Sequence, residues 1–398
     1  MQSITIADLR DQARKRLPRA VFDYIDGGAF DERALAGNRA AFDQLALLPR
    51  ALRDISQRSQ KTTVLGQEIA APLILAPVGL SGLFAGAGEV QAARAAQEAG
   101  IPYCLSTASI ASVDDVAAGT SAPFWFQLYV MRDKEVTASM VERARAAGCS
   151  VLCVTVDVTL QGPRERDIRN GFTIPPRVTA RNFFDMMRRL PWMREVLWGR
   201  KINFGNFAPF AGGGNIMASA KFVASQFEDA ITWDDIAWFR SMWKGPLVLK
   251  GVLSPEDARL AAEHGVDGLV VSNHGGRQLD SAPPALAALP EIVEAVGDRV
   301  EVLMDGGIRR GDDVVKALAL GARACMIGRA YAWGLGASGQ AGVARAISIL
   351  KAEIDTTIGL LGVPEIGDLN ASVLRPAGHR VTLPASAPRR PPLTDAAE

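Results

Sequence analysis

Short apolar runs recur along the chain, and each is followed by a stretch with helical periodicity. The runs cover residues 73–77, 103–106, 124–129, 151–157, 247–251, 268–273, 301–307 and 324–329. Continuous apolar runs of about four to seven residues are typical of parallel strands that are buried on both faces. Most of the runs begin about 20–30 residues apart, which is the length of one strand–helix unit. The pattern therefore predicts eight strands that alternate with helices.

The segments between the runs carry recognisable helix ends. Ser112-Val113-Asp114-Asp115 matches a capping box, and Ser254-Pro255-Glu256 places an N-cap serine before a proline and an acidic residue. The stretches 90–99 and 313–320 are each followed by glycine, a common residue after a helix end. Eight consecutive strand–helix units predict the α/β class and a (β/α)8 TIM barrel.

An open doubly wound sheet is the alternative arrangement of such units. That fold would place a GxGxxG turn after its first strand, and Pro77-Val78-Gly79-Leu80-Ser81-Gly82 does not match this pattern. Polar residues close most of the predicted strands, where core packing alone would not favour them. Because strand ends converge on the active-site face of a barrel, these residues favour the barrel. They are Ser106, Gln127, Tyr129, Thr155, Asp157, Lys250, His274 and Asp305.

Two segments fall outside the repeating pattern. Residues 1–70 precede the barrel and contain a predicted amphipathic helix over residues 6–17. Roughly residues 160–240, between the fourth and fifth strands, form a long insertion, which in a compact domain often serves as a lid or a partner surface. We therefore divide the chain into an N-terminal helical extension (1–70), a barrel with its insertion (71–375) and a Pro-rich tail (376–398) with a composition typical of disorder.

The composition is that of a globular protein with a substantial core, since 48% of the residues are hydrophobic and 22% are charged. The net charge of +1 provides no overall field that would attract nucleic acid. The sequence has no run of 18 apolar residues and no apolar secretion signal, so we expect no membrane-spanning helix. The four cysteines form no CxxC pair, which predicts buried thiols in a reducing compartment.

The segment Ser272-Asn273-His274-Gly275-Gly276-Arg277-Gln278-Leu279-Asp280 carries the main candidate for proton transfer. Of the three histidines, His264 lies at a predicted helix end and His379 lies in the Pro-rich tail, which leaves His274. A base beside the guanidinium of Arg277 suits a substrate that has a carboxylate and an acidifiable hydrogen. The alternative is a strand-end loop in which the Asn and His side chains cap the next helix.

Two loops rich in glycine and arginine follow the seventh and eighth predicted strands. They are Asp305-Gly306-Gly307-Ile308-Arg309-Arg310-Gly311-Asp312 and Ile327-Gly328-Arg329. These two positions form the usual phosphate site of a barrel, where glycine exposes backbone N–H groups and arginine adds charge. Either loop alone would also fit a turn with a surface arginine.

Lys250 lies at the end of the fifth predicted strand. Its ammonium group would either stabilise a reduced flavin near the N1–C2 side of the ring or reach solvent.

These motifs together resemble the FMN-dependent L-2-hydroxy acid oxidase/dehydrogenase family, whose members include oxidases of glycolate and lactate and dehydrogenases of L-lactate and (S)-mandelate. The resemblance covers residues 8–369, and its most specific motif is the segment from Ser272 to Asp280. Further matching motifs are Tyr24-Ile25-Asp26-Gly27-Gly28-Ala29, Leu105-Ser106-Thr107, Trp125-Phe126-Gln127-Leu128-Tyr129, Thr155-Val156-Asp157, Arg164-Glu165-Arg166-Asp167 and Lys250-Gly251.

The resemblance implies an enzyme that uses FMN and no metal, oxidises a small L-2-hydroxy acid and forms a homo-oligomer, a tetramer in the family. It implies that His274 is the base and that Asp157 steadies the imidazolium. The residues implied to bind the substrate are Tyr24, Tyr129, Arg164 and Arg277. The residues implied to bind FMN are Pro77, Val78, Gly79, Ser106, Gln127, Thr155, Lys250, Ser272, Asp305, Gly306, Gly307, Arg309, Gly328 and Arg329.

Gly79 is a residue whose identity indicates the electron acceptor. Many oxidases of the family carry Ala at the position of Gly79, whereas Gly resembles the quinone-linked lactate and mandelate dehydrogenases. Alternatively, Gly79 only relieves a tight turn, and the enzyme uses oxygen.

Residues 175–217 have a basic and aromatic composition. Seven cations face two acidic residues, so the segment carries 7 − 2 = +5. Such a composition predicts peripheral membrane contact, which the family resemblance places on the cytoplasmic side of the inner membrane. A loop docked on a soluble cytoplasmic barrel is the alternative, and a flavin barrel gives no reason for nucleic-acid binding. The residues are Arg177, Arg181, Arg188, Arg189, Arg194, Arg200 and Lys201, with Asp185 and Glu195, and the aromatic Phe183, Phe184, Trp192, Trp198, Phe204, Phe207 and Phe210.

The sequence leaves the substrate open between two short acids. Gly88-Glu89-Val90-Gln91-Ala92-Ala93 and Asn203-Phe204-Gly205-Asn206 are similar to L-lactate dehydrogenase, whereas Lys15-Arg16-Leu17-Pro18 and Ile174-Pro175-Pro176-Arg177 are more similar to mandelate dehydrogenase. We expect L-lactate or a related acid, with (S)-mandelate as the alternative. An FMN-dependent isomerase, an IMP dehydrogenase-like enzyme and a non-catalytic flavin-binding module are the hypotheses from other classes.

Overall fold

The computed structural model describes residues 3–172, 179–197, 202–211, 216–226 and 228–378. Its N-terminal part contains α1 (Ile6–Arg16), α2 (Arg19–Asp26) and α3 (Arg33–Asp43), followed by β1 (Leu45–Leu47), β2 (Thr62–Val64) and β3 (Gln67–Ile69). Thr5 and Asp8 form a capping box at the start of α1, because each side chain accepts the other residue's backbone N–H. The helix predicted over residues 6–17 is confirmed.

Eight parallel strands form a closed barrel. In chain order they are β4 (Leu73–Leu75), β5 (Cys104–Ser106), β6 (Trp125–Leu128), β7 (Val151–Thr155), β8 (Leu247–Val252), β9 (Gly268–Val271), β10 (Glu301–Asp305) and β11 (Ala324–Ile327). Each strand pairs with its chain neighbours, β11 pairs with β4, and a parallel bridge between Leu75 and Tyr103 closes the ring. The predicted (β/α)8 barrel is confirmed, and each predicted apolar run coincides with one of these strands to within a few residues.

Helices surround the barrel, and the segment between β7 and β8 adds several more. The helices after α3 are α4 (Gly88–Ala99), α5 (Val113–Gly119), α6 (Lys134–Ala146), α7 (Glu165–Arg169), α8 (Ala180–Met187), α9 (Leu190–Val196), α10 (Ile216–Gln226), α11 (Asp234–Met242), α12 (Pro255–Glu263), α13 (Ala285–Val296), α14 (Gly311–Ala319) and α15 (Arg329–Leu361). The caps predicted at Ser112 and Ser254 are both present. Helix α15 is broken at Ser338 and Gly339, where the backbone is not helical.

The core has two layers, one inside the barrel and one between the strands and the helices. The inner layer includes Trp125 and Cys153, and the β2–β3 hairpin closes its N-terminal end with Val64 and Ile69. All four cysteines are free and buried, as predicted. A last strand, β12 (Leu374–Pro376), pairs with β1. Because the N-terminal end is filled, the cavity of the barrel opens at the C-terminal ends of the strands.

The aromatic side chains of the insertion lie in two different environments. Trp192, Phe204 and Phe207 are buried in the core, whereas Phe183 and Phe184 are 49% and 63% exposed. The Trp192 indole N–H donates to the carbonyl of Leu83 over 2.7 Å, which ties α9 to the loop after β4. The aromatic side chains of the insertion are therefore divided between packing and surface. Trp198 lies outside the described residues.

Within the described part of the chain, none of the helices is both long and apolar enough to cross a membrane. His264 ends α12, as predicted, and its Nδ1 lies 2.8 Å from the Leu260 carbonyl. The tail predicted to be disordered lies outside the described residues from position 379 onward, and so does His379.

Candidate active site

A cavity of about 440 Å³ opens at the C-terminal ends of the barrel strands. Its walls bring together residues that are far apart in the sequence, because the barrel aligns all eight strand ends on one face. The predicted site residues that line it are Tyr24, Pro77, Val78, Gly79, Ser106, Tyr129, Thr155, Arg164, Lys250, His274, Arg277, Asp305, Gly306, Gly307, Arg309, Gly328 and Arg329.

Three predicted site residues lie behind the cavity wall and contact residues that line it. Asp157 contacts His274, and Ser272 accepts a hydrogen bond from Lys250. Gln127 accepts a hydrogen bond from the Ser106 hydroxyl over 3.2 Å. These three residues therefore position other side chains of the wall.

His274 and Asp157 form a partly buried pair just beyond the ends of β9 and β7. The His274 Nδ1 atom lies 2.9 Å from Asp157 Oδ1. Burial alone would raise the pKa of Asp157, but the neighbouring His274 and Lys250 hold that pKa below its ordinary value. An ionised Asp157 can only accept, so the proton of a neutral His274 is on Nδ1. The Nε2 lone pair then remains available as a base.

The backbone after β9 adopts an unusual conformation that aims His274 into the cavity. His274, Gly275 and Gly276 have φ angles of 57°, 63° and 75°, all in the left-handed region. A Cβ atom on Gly276 would lie 2.4 Å from the Leu35 backbone nitrogen, so no larger residue fits there. His274 itself tolerates this strain because the Ser272 hydroxyl accepts its N–H over 3.0 Å.

Two arginines and a tyrosine form one wall of the cavity. The guanidinium carbons of Arg277 and Arg164 lie 4.9 and 5.5 Å from the Tyr24 ring centroid. Asp167 accepts a hydrogen bond from Arg164 over 2.8 Å, and the backbone carbonyls of Tyr24 and Gly27 accept from Arg277. Burial, and then the nearby Arg164, lowers the pKa of Arg277. A bound carboxylate would relieve this repulsion between the two cations.

Lys250 is buried at the end of β8 and stays cationic. Its ammonium nitrogen lies 2.6 Å from Asp305 Oδ2 and donates to the Ser272 hydroxyl over 3.0 Å. Burial disfavours the charge, but Asp305 and Asp157 outweigh it and raise the pKa of Lys250. The side chain does not reach solvent, so the alternative of a surface lysine is wrong.

The loops after β10 and β11 contribute Gly306, Gly307, Arg309, Gly328 and Arg329 to the cavity wall. Gly306 and Gly307 have φ angles of 96° and 83°, which favour glycine. Burial, with Arg39 nearby, lowers the pKa of Arg309 to about 10, which still leaves it charged near neutrality. Arg329 donates to the carbonyls of Ile25, Gly27 and Gly275. Arg329 therefore joins the N-terminal extension to the His274 loop as well as lining the cavity.

The donor set of this cavity fits FMN. Gln127 Nε2 and Asp305 Oδ1 are buried and have no hydrogen-bond partner among the described residues. A Cβ added to Gly328 would have no neighbour closer than 3.9 Å, so the space above this glycine is open to a ligand. Cationic groups at Lys250, Arg309 and Arg329 match a phosphate and an anionic ring. Unsatisfied buried donors and acceptors of this kind call for a polar ligand.

Several residues that hold the site together have contacts that the sequence does not predict. Asn38 and Asn273 exchange two side-chain hydrogen bonds of 2.7 and 3.0 Å across the boundary between α3 and the barrel. Gln278 donates to the carbonyls of Asp157 and Leu160. Glu89, which is fully buried, accepts from the backbone of Gly82 and Ile110, in the loops after β4 and β5. Their pairing partners are remote in sequence, so composition and periodicity could not reveal them.

The insertion contributes to the cavity wall through Met186, Trp192, Leu197, Ile202 and Phe204. Residues of the insertion therefore share the cavity wall with the strand ends that carry Lys250 and His274. These side chains extend the cavity from the strand ends toward α8 and α9 as an apolar annex.

Comparison with known proteins gives a consistent result over nearly the whole chain. Residues 13–376 match the model of the FMN-dependent dehydrogenase family. An L-lactate dehydrogenase of Caulobacter vibrioides strain NA1000 is 47% identical over 369 residues, which cover 92% of this chain and 96% of that protein. An L-lactate dehydrogenase of Pseudomonas syringae is 43% identical over 370 residues, which cover 92% of this chain and 97% of that protein.

Solved structures agree with the sequence relatives. A crystal structure of the monotopic membrane protein (S)-mandelate dehydrogenase has a TM-score of 0.91 and 39% identity, covering 94% of this chain and all of that one. A soluble mutant of the membrane-associated (S)-mandelate dehydrogenase from Pseudomonas putida has a TM-score of 0.80 and 39% identity, covering 94% of this chain and 99% of that one. The chain belongs to the FMN-dependent dehydrogenase family, and FMN is its cofactor.

Proposed function

We propose that the protein oxidises L-lactate, or a closely related short L-2-hydroxy acid, to the 2-oxo acid. The observation that supports this most strongly is the position of the His274–Asp157 pair in the same cavity as two arginines. This arrangement offers a base for a substrate proton and a cationic site for a carboxylate. It requires a substrate in which the two groups are close together, as in a 2-hydroxy acid.

His274 Nε2 is the base in this proposal. It accepts a proton from the substrate, while Asp157 keeps Nδ1 protonated and stabilises the imidazolium that forms. FMN, when bound, supplies the acceptor for the two electrons that leave the substrate. Lys250 holds a positive charge beside the cofactor site, which favours added negative charge there.

Arg277 and Arg164 hold the substrate carboxylate in this proposal. Arg277 is the stronger candidate because its pose is fixed by two backbone carbonyls, those of Tyr24 and Gly27. Tyr24 and Tyr129 complete the wall. Burial raises the pKa of Tyr129 well above its ordinary value, so the phenol stays protonated and can donate a hydrogen bond at neutral pH.

L-lactate and (S)-mandelate differ in the size of the side chain that the apolar annex would have to accommodate. The curated relatives are named L-lactate dehydrogenase, whereas the structural neighbours include (S)-mandelate dehydrogenase and mandelate oxidase. We favour lactate because the relatives with that name share more of this sequence. The test is kcat/KM for the two acids with an artificial electron acceptor. A higher value for (S)-mandelate would overturn the choice of substrate and leave the chemistry unchanged.

We also propose that electrons pass to a quinone and that the protein contacts the cytoplasmic side of the inner membrane, as a homotetramer. An apolar face on α8 and α9 supports the membrane contact. Phe184, Met187, Leu190 and Leu197 are 63%, 45%, 58% and 36% exposed on it. A structural neighbour is a monotopic membrane protein.

The acceptor and the membrane contact have separate tests. Turnover with a water-soluble quinone should exceed turnover with oxygen, and faster turnover with oxygen would identify an oxidase. Phe184→Ser/Met187→Ser should weaken binding to vesicles while the bound FMN is retained. Unchanged vesicle binding would remove the apolar face as the contact surface. Size-exclusion chromatography with light scattering tests the tetramer.

A further inference from the structure

A cleft between α1, α2 and the insertion adjoins the FMN cavity, since Asp185 lines both. It is lined by six cationic and four acidic side chains, a balance of 6 − 4 = +2, with Phe22 as its aromatic residue. Two parts of the chain that are remote in sequence meet here, because Arg19 donates its backbone N–H to Asp185 over 2.6 Å and Arg16 pairs with Glu195. The cleft is thus formed where the insertion docks on the N-terminal extension.

Most of the acidic groups in the cleft already have cationic or backbone partners. Asp26 pairs with Arg10 and with Arg166, and Asp23 pairs with Arg19. Asp185 accepts the Arg19 backbone N–H. The remaining acidic residue, Asp11, is exposed and forms no ion pair among the described residues.

Three cations in the cleft have no carboxylate partner in the described part of the chain. Arg14 and Lys15 are exposed in the last turn of α1. Arg189 donates from Nη1 to the Lys15 carbonyl, while its buried Nε has no hydrogen-bond partner among the described residues. Two separate chain segments therefore bring uncompensated positive charge, and an unsatisfied donor, to one place.

The cleft also adjoins the exposed apolar face of the insertion. Arg189 directly follows Met187 and Arg188 and precedes Leu190, and both apolar side chains are about half exposed. In a bilayer, lipid phosphates lie just outside the acyl region. Cations at the rim of an apolar face would meet phosphates when that face enters the membrane.

We infer that this cleft binds the phosphate of an anionic phospholipid headgroup through Arg14, Lys15 and Arg189. The inference rests on the proposed membrane contact and adds a headgroup site that α1 and the insertion form together. It makes α1, which no basic and aromatic pattern marks as membrane-active, part of the contact. Binding would also fix the insertion against α1, because Arg189 comes from one segment and Arg14 and Lys15 from the other.

The test is co-sedimentation of the FMN-loaded protein with phosphatidylcholine vesicles, with and without phosphatidylglycerol. The test variant is Arg14→Glu/Lys15→Glu, with Arg189→Gln as a separate variant. The matched control is Lys61→Glu/Arg323→Glu, which changes the net charge equally. Both control positions are exposed at the N-terminal end of the barrel, near the β2–β3 hairpin and the start of β11. FMN content and the visible spectrum report that each variant is folded.

We expect the wild type and the control to prefer vesicles that contain phosphatidylglycerol. The Arg14/Lys15 variant should bind those vesicles roughly tenfold or more weakly, since each cation near an anionic surface contributes to the attraction. Its binding to phosphatidylcholine alone should equal that of the wild type. Arg189→Gln should show a smaller loss of the same kind.

Three results would overturn the headgroup site. The Arg14/Lys15 variant could bind like the wild type, or the control could lose as much affinity, which would indicate net charge alone. Equal binding of the wild type to both vesicle types would remove the headgroup site but retain the apolar contact. If the wild type binds neither vesicle, the membrane part of the proposed function fails as well. Oxidation of L-lactate is measured separately with a soluble acceptor and does not depend on any of these outcomes.

Discussion

The barrel mouth and the insertion line the same cavity, yet they relate to the sequence in different ways. At the mouth, a residue's position in its strand decides where its side chain lies, because the barrel fixes every strand end. In the insertion, Trp192 is buried and Phe184 is 63% exposed, although both belong to one basic and aromatic segment. In a regular barrel, the position of a residue in the sequence therefore predicts whether its side chain lines the cavity. In an irregular segment, that prediction requires the tertiary contacts.

The two regions also differ in how they are held. Lys250 and His274 each contact side chains from neighbouring strands or loops, so the mouth is a cross-linked polar network. The insertion is attached to several loops and helices outside the barrel strands, for example by the bond from Trp192 to the Leu83 carbonyl and by the bond from Asn206 to Ser109. We expect changes at the mouth to affect chemistry. In the insertion, we expect changes at buried residues to affect stability and the cavity wall, and changes at exposed residues to affect surface binding.

The largest effect is expected at the mouth for His274→Gln. Loss of a positioned base should lower the rate of flavin reduction by L-lactate roughly 10²–10⁴-fold, while FMN stays bound. Anaerobic stopped-flow absorbance measures that rate. His264→Gln is the matched control, since His264 ends α12 away from the cavity, and it should be reduced at the wild-type rate. Reduction of His274→Gln at that rate would contradict the assignment.

Arg277→Lys should come next. The guanidinium is fixed by the carbonyls of Tyr24 and Gly27, and an ammonium cannot reproduce its planar donors. We expect kcat/KM to fall by an amount equivalent to about 2–5 kcal/mol. Arg169→Lys, an exposed position paired with Glu165, is the control. An unchanged kcat/KM in Arg277→Lys would place the carboxylate site elsewhere.

Within the insertion, Trp192→Ala and Phe184→Ala should separate packing from surface. Removing the buried Trp192 should cost about 3–5 kcal/mol of unfolding free energy. Phe184→Ala should change it by less than about 0.5 kcal/mol. Chemical denaturation of the FMN-loaded variants measures the unfolding free energy. Vesicle co-sedimentation of the native variants measures surface binding. Similar losses of stability in the two variants would contradict the division of this segment into core and surface.

The smallest effect is expected from Glu89→Gln, and it should depend on pH. Burial raises the pKa of Glu89 above its ordinary value near 4.5, despite backbone hydrogen bonds that lower it. The folded state therefore holds this proton more tightly than the unfolded state. The wild type should lose stability relative to Glu89→Gln as pH rises above 4.5, until the folded protein also ionises. Thermal unfolding of both proteins across this pH range measures the difference in their stability. A difference that does not change with pH would contradict a raised pKa of Glu89.

The sequence was sufficient for the barrel and for most of the cavity wall, but not for the residues that hold the wall. Apolar runs located all eight strands, and polar strand ends such as Lys250 located the cavity. The Asn38–Asn273 pair joins residues 235 positions apart, and no local pattern records such a contact. The left-handed conformation of His274 was equally hidden, because its neighbours Gly275 and Gly276 indicate a turn without specifying it.

Anaerobic mixing of the purified FMN-loaded protein with L-lactate tests the central claim most directly, with D-lactate as the control. The account predicts that L-lactate bleaches the visible absorbance of the flavin at a rate that saturates with its concentration. It predicts no comparable bleaching by D-lactate, because the carboxylate site and His274 together accept one configuration. Absence of bleaching by both L-lactate and (S)-mandelate would contradict the proposal that this barrel mouth oxidises L-2-hydroxy acids.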